Sequence, residues 1–565
     1  MRKDQSSQNH SSLAHVKFSE LRPKETMEPA SQRQLEDSFL PNNGEYMNTT
    51  NQISQNYNGS SSVASFEIDQ PNSLISTLSS PDQITAMLSN FSTSFNVVNI
   101  SLVLPMLQMK NLYADSVTKQ TSSLCASSLI GGMILGQLIG GFLGDFLGRK
   151  TAMYFVMTLQ IVASLGSAFL VHESFASVFV QLATWRLILG IGCGGVYPLA
   201  ALLSSESSSS NSSRNQHDDE DHESYQSAPE HVKLASLKKL AATFSLQGVG
   251  FLFVPIVSII SLLICGEEHL DLAWRLILAF GSIPGLVLMY LRKKQMNQIH
   301  EDEEIASIVS HVPNEDPTDE HALQRSRVSN ESTGNQGIWN AIKNEDNLLR
   351  KILGTAGTWF LFDIVFYGNT LFQPVVIKTA FGYDNNDDDN VDEYDSMLRN
   401  VRDSFLLTMI ALPGYFITIA LIGRKLAPLN CLPTRYSHFG IIHQTPRFIQ
   451  IQGFVLMTIV YCIIGYSWDD LTQHHIMLIM LYGSTFFFSN YGPNTTTFML
   501  PSLTFSPDCR STLNGISAAS GKAGALLGSI VFEPLADKYG DGTVMFLCAL
   551  TSILGAILTG LCTQA

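Results

Sequence analysis

Gly354-Thr355-Ala356-Gly357-Thr358-Trp359-Phe360-Leu361-Phe362-Asp363-Ile364-Val365-Phe366-Tyr367 is the stretch from which the rest of the chain can be read. Apolar residues continue on both sides of it, from Ile352 through Leu371, Phe372, Val375 and Val376. A run of that length crosses a hydrocarbon core of about 30 Å as a helix of about 20 residues. A carboxylate, Asp363, stands in its middle. At that depth a charge is costly unless it faces other protein or a water-filled cavity. Trp359, Asp363 and Tyr367 are spaced i, i+4, i+8 and so share one helix face. The spacing predicts a polar stripe along a pathway through a membrane. The plainer alternative is an aspartate buried only to bond a neighbouring helix.

Further out, the same pattern recurs. The 565 residues are 45% hydrophobic and only 15% charged, with a positive mean hydropathy. Apolar runs fall near 83–107, 122–143, 151–171, 177–203, 240–264 and 273–291. A second set falls near 352–376, 403–422, 451–467, 473–492, 513–532 and 543–562. This is the pattern of an all-α polytopic membrane protein with twelve transmembrane helices in two six-helix halves. Residues 1–81 are rich in Ser, Asn, Gln and acids and are expected to form a disordered cytoplasmic tail. A first bundle then spans 82–291, a charged linker without structure 292–350, and a second bundle 351–565. Two loops, 204–232 with its Ser run and acids and 423–450 with three prolines, read as solvated cytoplasmic inserts.

Composition also excludes function classes. The net charge of −15 collects in the tail and loops, which offers nothing to a nucleic acid. The eight cysteines are scattered, with no disulfide or zinc spacing. No nucleophile–base arrangement or metal spacing points to an enzyme, and no cofactor is expected. Asp384, Asn386, Asp388, Asn390, Asp392 and Asp395 are spaced like a calcium-loop ladder. The ladder lacks the glycine at its sixth place and the glutamate at its twelfth, so it reads as an exposed acidic loop. The implied partners are the lipid bilayer, a small substrate and a coupling cation; a monomer suffices.

Loop charge sets the orientation. Arg149/Lys150, Lys233/Lys238/Lys239, Arg292/Lys293/Lys294 with Lys343/Arg350/Lys351, and Arg424/Lys425 fall in alternate loops. The positive-inside rule places those loops and both termini in the cytoplasm. The plasma membrane is the expected location, with an internal membrane as the alternative.

Gly141-x-x-x-Asp145-x-x-Gly148-Arg149-Lys150 joins the second and third spans. Its glycines allow close helix approach, and Asp145 can pair with basic groups at helix ends as a gate closes. Arg186-x-x-x-Gly190-x-x-x-Gly194 lies in the fourth span. Both patterns resemble signatures of the major facilitator superfamily. The likeness narrows to the phosphate/proton symporters of the fungal and plant type. It rests on Gly194-Gly195-Val196-Tyr197-Pro198-Leu199 to Glu206, Leu246 to Gly250, Gly354 to Gln373, Phe488 to Phe498, and Arg510 to Ala525.

The resemblance implies a secondary transporter that holds phosphate near mid-membrane between its halves. The matching positions are Tyr197, Gln247, Trp359, Asp363, Tyr367 and Asn494, with Lys522 as a nearby cation. Asp363 and Arg186 are the expected proton-coupling residues, and Asp145, Arg149, Lys150 and Glu206 the gate. Glycerophosphodiesters or another organic anion are the rival substrates, and a transport-inactive nutrient sensor is a rival class. Two departures stand out. The family carries an acid where this chain has Val196, and a first-span pattern like F-T-D-x-Y-D where this chain has Phe91-Ser92-Thr93-Ser94-Phe95-Asn96. Without acids at Val196, Thr93 and Asn96, weaker proton coupling is expected. A cavity holding Arg186, Lys522 and Asp363 would also favour a more negative anion.

Overall fold

The computed structural model describes residues 80–109, 119–170, 175–206, 230–291, 293–294, 335–381, 393–426 and 442–563. The N-terminal tail, most of the Ser-rich and acidic loop, and the ladder from Asp384 to Asp392 lie outside the described residues.

Ten described helices are long and apolar enough to cross a membrane. In the first half they are Pro81–Leu107, Ser127–Phe146, Arg149–Ala168, Val178–Glu206, Val232–Cys265 and Glu267–Leu291, the first to sixth spans. In the second half they are Glu393–Leu421, Pro446–Tyr466, Arg510–Tyr539 and Asp541–Cys562, the eighth, ninth, eleventh and twelfth. The seventh and tenth spans are built differently. The seventh joins helix Leu348–Ile352, a π-helical turn Leu353–Gly357 and helix Thr358–Phe381. The tenth joins helix His475–Ser489, a π-helical turn Asn490–Asn494 and helix Thr495–Thr504. These two interrupted helices carry much of the predicted site.

Helix starts follow local chemistry. Ser80 accepts a hydrogen bond from the Gln83 N–H and Pro81 occupies the first helical position. Thr445 and Pro446 repeat the arrangement at the ninth span. Several helices run past their apolar stretch into polar sequence, as at Glu230–Cys265 and Arg510–Tyr539. Hydropathy marks only the part of a helix that meets lipid.

Glycines set how closely the helices approach. A Cβ on Gly132 would come within 3.0 Å of the Gly190 Cα, and one on Gly194 within 2.8 Å of the Met133 Cα. The second and fourth spans therefore touch backbone to backbone. The seventh and eleventh do the same: a Cβ on Gly524 or Gly528 would lie 3.1 Å from the Phe360 or Ile364 Cα. Between the halves, a Cβ on Gly141 would lie 3.0 Å from the Gly515 Cα. That contact closes the second span on the eleventh at the side of the basic loops.

Two expectations need correction. The linker is not without structure: Asn335–Asn344 is a helix. Ala341 and Ile342 on that helix, with Leu348 and Ile352, pack against Phe505, Cys509 and Leu513. The polar insert contains a short antiparallel ladder, Lys425–Leu426 against Ile442–His443, and the ninth span begins inside it at Pro446.

Candidate functional site at the junction of the halves

The seventh span delivers its polar face as the spacing predicts. Trp359, Asp363 and Tyr367 are all buried. Lys522 on the eleventh span donates from Nζ to Asp363 Oδ2 at 2.7 Å, with both side chains almost wholly enclosed. The close approach at Gly521, where a Cβ would meet the Trp359 ring at 2.8 Å from Nε1, holds the indole beside this pair. The Lys522 ammonium also sits over the Tyr367 ring at 4.2 Å and the Tyr197 ring at 5.6 Å from the centroids. Tyr197 belongs to the first half, so the cation is held between both halves.

The π-helical turn of the tenth span places Asn494. Its Nδ2 donates to Tyr415 Oη at 2.9 Å and to Asn490 Oδ1 at 2.8 Å. Backbone close packing requires the glycine at 492: a Cβ there would collide with the Gly453 Cα, and its own φ of −105° and ψ of −107° mark the kink. Gln247 is buried on the fifth span, and its Oε1 has no hydrogen-bond partner among the described residues. Phe498 lies 4.7 Å from Phe244 and 6.5 Å from Tyr197, an aromatic layer joining the halves beside the site.

Residues expected in the cavity but placed elsewhere change the charge count. Arg186 is fully buried in the first half. It donates to Asn96 O at 3.1 Å, Asn99 Oδ1 at 2.8 Å and Val97 O at 3.4 Å, around the break in the first span. Among the described residues its hydrogen bonds go to that span and none to Asp363, so it does not join the Lys522 cluster. Thr93 donates to Gln160 Oε1 at 3.2 Å, and Asn96 donates to Gly281 O at 2.8 Å. Both positions face the third and sixth spans. Val196 is enclosed in the apolar core. The cluster at the junction therefore pairs one cation with one anion, and the expected excess of positive charge is absent from it.

At the side of the basic loops the halves are clasped. Asp145 accepts from Thr512 N at 2.7 Å, Thr512 Oγ1 at 2.7 Å and Ser511 N at 3.2 Å. A first-half carboxylate thus caps the N-terminus of the eleventh span, where free N–H groups and the helix dipole favour negative charge. The expected partner, Arg149, lies 3.8 Å from Asp145. It pairs more closely with Glu206 at 3.3 Å and donates to Pro507 O at 3.2 Å. Lys150 pairs with Asp82 at 2.9 Å.

Glu345, just beyond the linker helix, props the loop that Arg149 grips. It accepts from Ser506 Oγ at 2.5 Å and pairs with Lys351 at 2.6 Å. Burial raises its carboxyl, but the bonds from Lys351 and Ser506 outweigh burial and hold it below the ordinary value. Burial pushes the neighbouring Cys509 thiol up to about 11.

On the opposite side a cavity of about 100 Å³ separates the halves. Val98, Phe251 and Pro255 line it from the first half, and Tyr367, Gln373 and Asn490 from the second. Tyr367 connects this cavity to the buried pair. Sequence reasoning missed Tyr415 and Asn490, which carry no spacing signal; the run Phe488 to Phe498 contained Asn490 without distinguishing it.

The sequence profile described as the Major Facilitator Superfamily matches residues 86–529. "Inorganic phosphate transporter 1-2" of Oryza sativa subsp. japonica is 29% identical over 522 residues, 84% of this chain and 89% of that protein. "Probable inorganic phosphate transporter 1-6" of Arabidopsis thaliana is 30% identical over 445 residues, 73% of this chain and 76% of that protein. Among solved structures, the proton:xylose symporter XylE bound to 6-bromo-6-deoxy-D-glucose is similar with a TM-score of 0.57 and 17% identity, over 86% of this chain and 95% of that one. The human organic anion transporter MFSD10 gives a TM-score of 0.53 at 14% identity, over 85% and 100%. These two structures bear on the fold alone. Their architecture, the profile that spans most of the membrane region and the Arabidopsis relative agree: the chain belongs to the Major Facilitator Superfamily, and within it to the family of the inorganic phosphate transporters.

Proposed function

We propose that this protein is a secondary active transporter of inorganic phosphate, coupled to a cation, with the proton as that cation. It works by alternating access to a site between its halves. The observation that carries the reading is the buried Asp363–Lys522 pair beneath Tyr367, reached from one side by a cavity. Relatives named as inorganic phosphate transporters support the substrate.

The chemistry follows from the pair. In a low-dielectric site Lys522 compensates the charge of an anion, and the carboxylate of Asp363 competes for it. A proton on Asp363 removes that competitor and releases Lys522 to the anion. Proton and anion therefore favour each other's binding, which is the linkage that symport needs. Tyr197, Tyr367, Trp359, Gln247 and Asn494 complete the hydrogen-bonding shell. The basic loops face the cytoplasm by the positive-inside rule. Asp145, Arg149, Lys150 and Glu206 then form a cytoplasmic gate, closed here, and the cavity opens outward at the plasma membrane.

Labelled phosphate uptake into vesicles containing the purified protein tests this. Saturable uptake that unlabelled phosphate displaces better than glycerophosphodiesters, and that a pH gradient accelerates, is the expected result. Uptake no higher than in empty vesicles would point to a sensor. Stronger displacement by an organic phosphate would reassign the substrate.

A further inference from the structure

Phosphate transport through this junction gives Asn494 a place in the site but leaves open which end of its amide meets the substrate. Resting on that function, we infer that Asn490 and Tyr415 are positioning residues that lock Asn494 as a hydrogen-bond acceptor, so that the site selects an anion bearing its own O–H over one without.

The relay starts at a fixed point. Asn490 Nδ2 donates to the backbone carbonyl of Ala411 at 3.0 Å. A carbonyl only accepts, so the NH₂ end of Asn490 must face Ala411 and Oδ1 must face away. The Asn494 atom 2.8 Å from that Oδ1 is then necessarily its NH₂ nitrogen. The second hydrogen of the same nitrogen goes to Tyr415 Oη at 2.9 Å. An amide nitrogen has two hydrogens, and both are used. What Asn494 keeps for a substrate is Oδ1, which can only accept.

Tyr415 is held as firmly. It is 1% exposed, its ring lies 6.0 Å from Phe244, and a Cβ on Gly248 would meet that ring at 2.5 Å. Gly248 adjoins Gln247, whose buried Oε1 lacks a partner among the described residues. Tyr415 Oη already accepts from Asn494, so its own hydrogen remains to be donated. With Asp363 protonated, the junction thus offers an acceptor, Asn494 Oδ1, as well as donors, Lys522, the Asp363 carboxyl and the tyrosine hydroxyls.

That mixture fits a tetrahedral anion with a hydroxyl. Phosphate keeps at least one P–OH at neutral pH and can donate to Asn494. Sulfate keeps none, so its oxygen would face the Asn494 oxygen lone pair to lone pair. Sites built to bond a substrate hydroxyl reject the analogue that lacks it, because their buried acceptor is left unpaired.

The test is labelled phosphate uptake by the reconstituted full-length protein, with unlabelled sulfate as competitor. The native protein should be insensitive to sulfate where unlabelled phosphate displaces fully. Asn490→Ala frees the amide of Asn494 to turn, and Tyr415→Phe removes the oxygen that takes its second hydrogen. Each should raise the phosphate KM and lower the preference for phosphate over sulfate by about tenfold, the order of one hydrogen bond. A purely structural role would lower abundance and maximal rate while leaving the preference unchanged, and that result in Tyr415→Phe overturns the inference even if Asn490→Ala fails to fold. Strong inhibition of the native protein by sulfate overturns it too. Absence of phosphate uptake by the native protein would instead overturn phosphate transport itself.

Discussion

Asp363 and Lys522 are tolerated at mid-membrane depth because each neutralises the other at 2.7 Å. Such a pair adds little net stability, but removing one member strands the other, at a cost of about 3–5 kcal/mol. Lys522→Ala and Asp363→Asn should therefore each lower the melting temperature of the purified protein, and Asp363→Asn with Lys522→Gln should recover much of the loss. Uptake should stay abolished in the double variant, because no titratable group or cation remains. Single variants that melt with the native protein would show that the two charges do not depend on each other. Asp363 and its neighbours on the seventh span were legible because helical spacing puts them on one face. Lys522 was legible only through the resemblance. Tyr415 was not legible at all: it sits among apolar residues of the eighth span, and its partner Asn494 is 79 positions away. Arg186 misled the reading, since a buried arginine in a signature motif says nothing about which span its guanidinium reaches.

Helical interruptions and caps carry the next layer. Hydropathy located the seventh and tenth spans but not their π-helical turns, which depend on backbone contacts such as Gly453 against Gly492. The linker helix was missed for a related reason: its apolar residues are few, and the Phe505–Leu513 surface that they cover lies far along the chain. Glu345 ties that helix to the tenth–eleventh loop. Its carboxyl is held below the ordinary value of 4.5, so the stability it brings is present above that pH and is lost as pH falls through the lower folded value. Glu345→Gln should lower the melting temperature at neutral pH, and the gap to the native protein should close in acid. An equal gap at pH 7 and well below 4.5 would show that charge on Glu345 is not what holds the loop.

The membrane region stands closed at the basic loops and open to a cavity on the other side, and its halves are clasped by Asp145 on the start of the eleventh span, Arg149 on Pro507 O, and Gly141 against Gly515. Asp145→Asn keeps the shape but discards the charge that the helix terminus favours, worth about 0.5–2 kcal/mol. The clasped state should lose population by about twofold to thirtyfold. Hydrogen exchange at the start of the eleventh span, Ser511 and Thr512 above all, should quicken in that variant; unchanged exchange would mean that the glycine seam and the Arg149–Pro507 bond keep the halves together without this charge. The paired side chains at the centre also have an electrical meaning. Asp363 and Lys522 sum to zero, so when the empty carrier reorients, this pair takes no net charge across the field. Membrane voltage is worth about 2.3 kcal/mol per elementary charge per 100 mV, and through this pair it acts only on the loaded form. A monoanion arriving with one proton keeps the sum at zero, whereas a second cation makes it positive. The sign of the uptake current therefore counts the cations that travel with each anion.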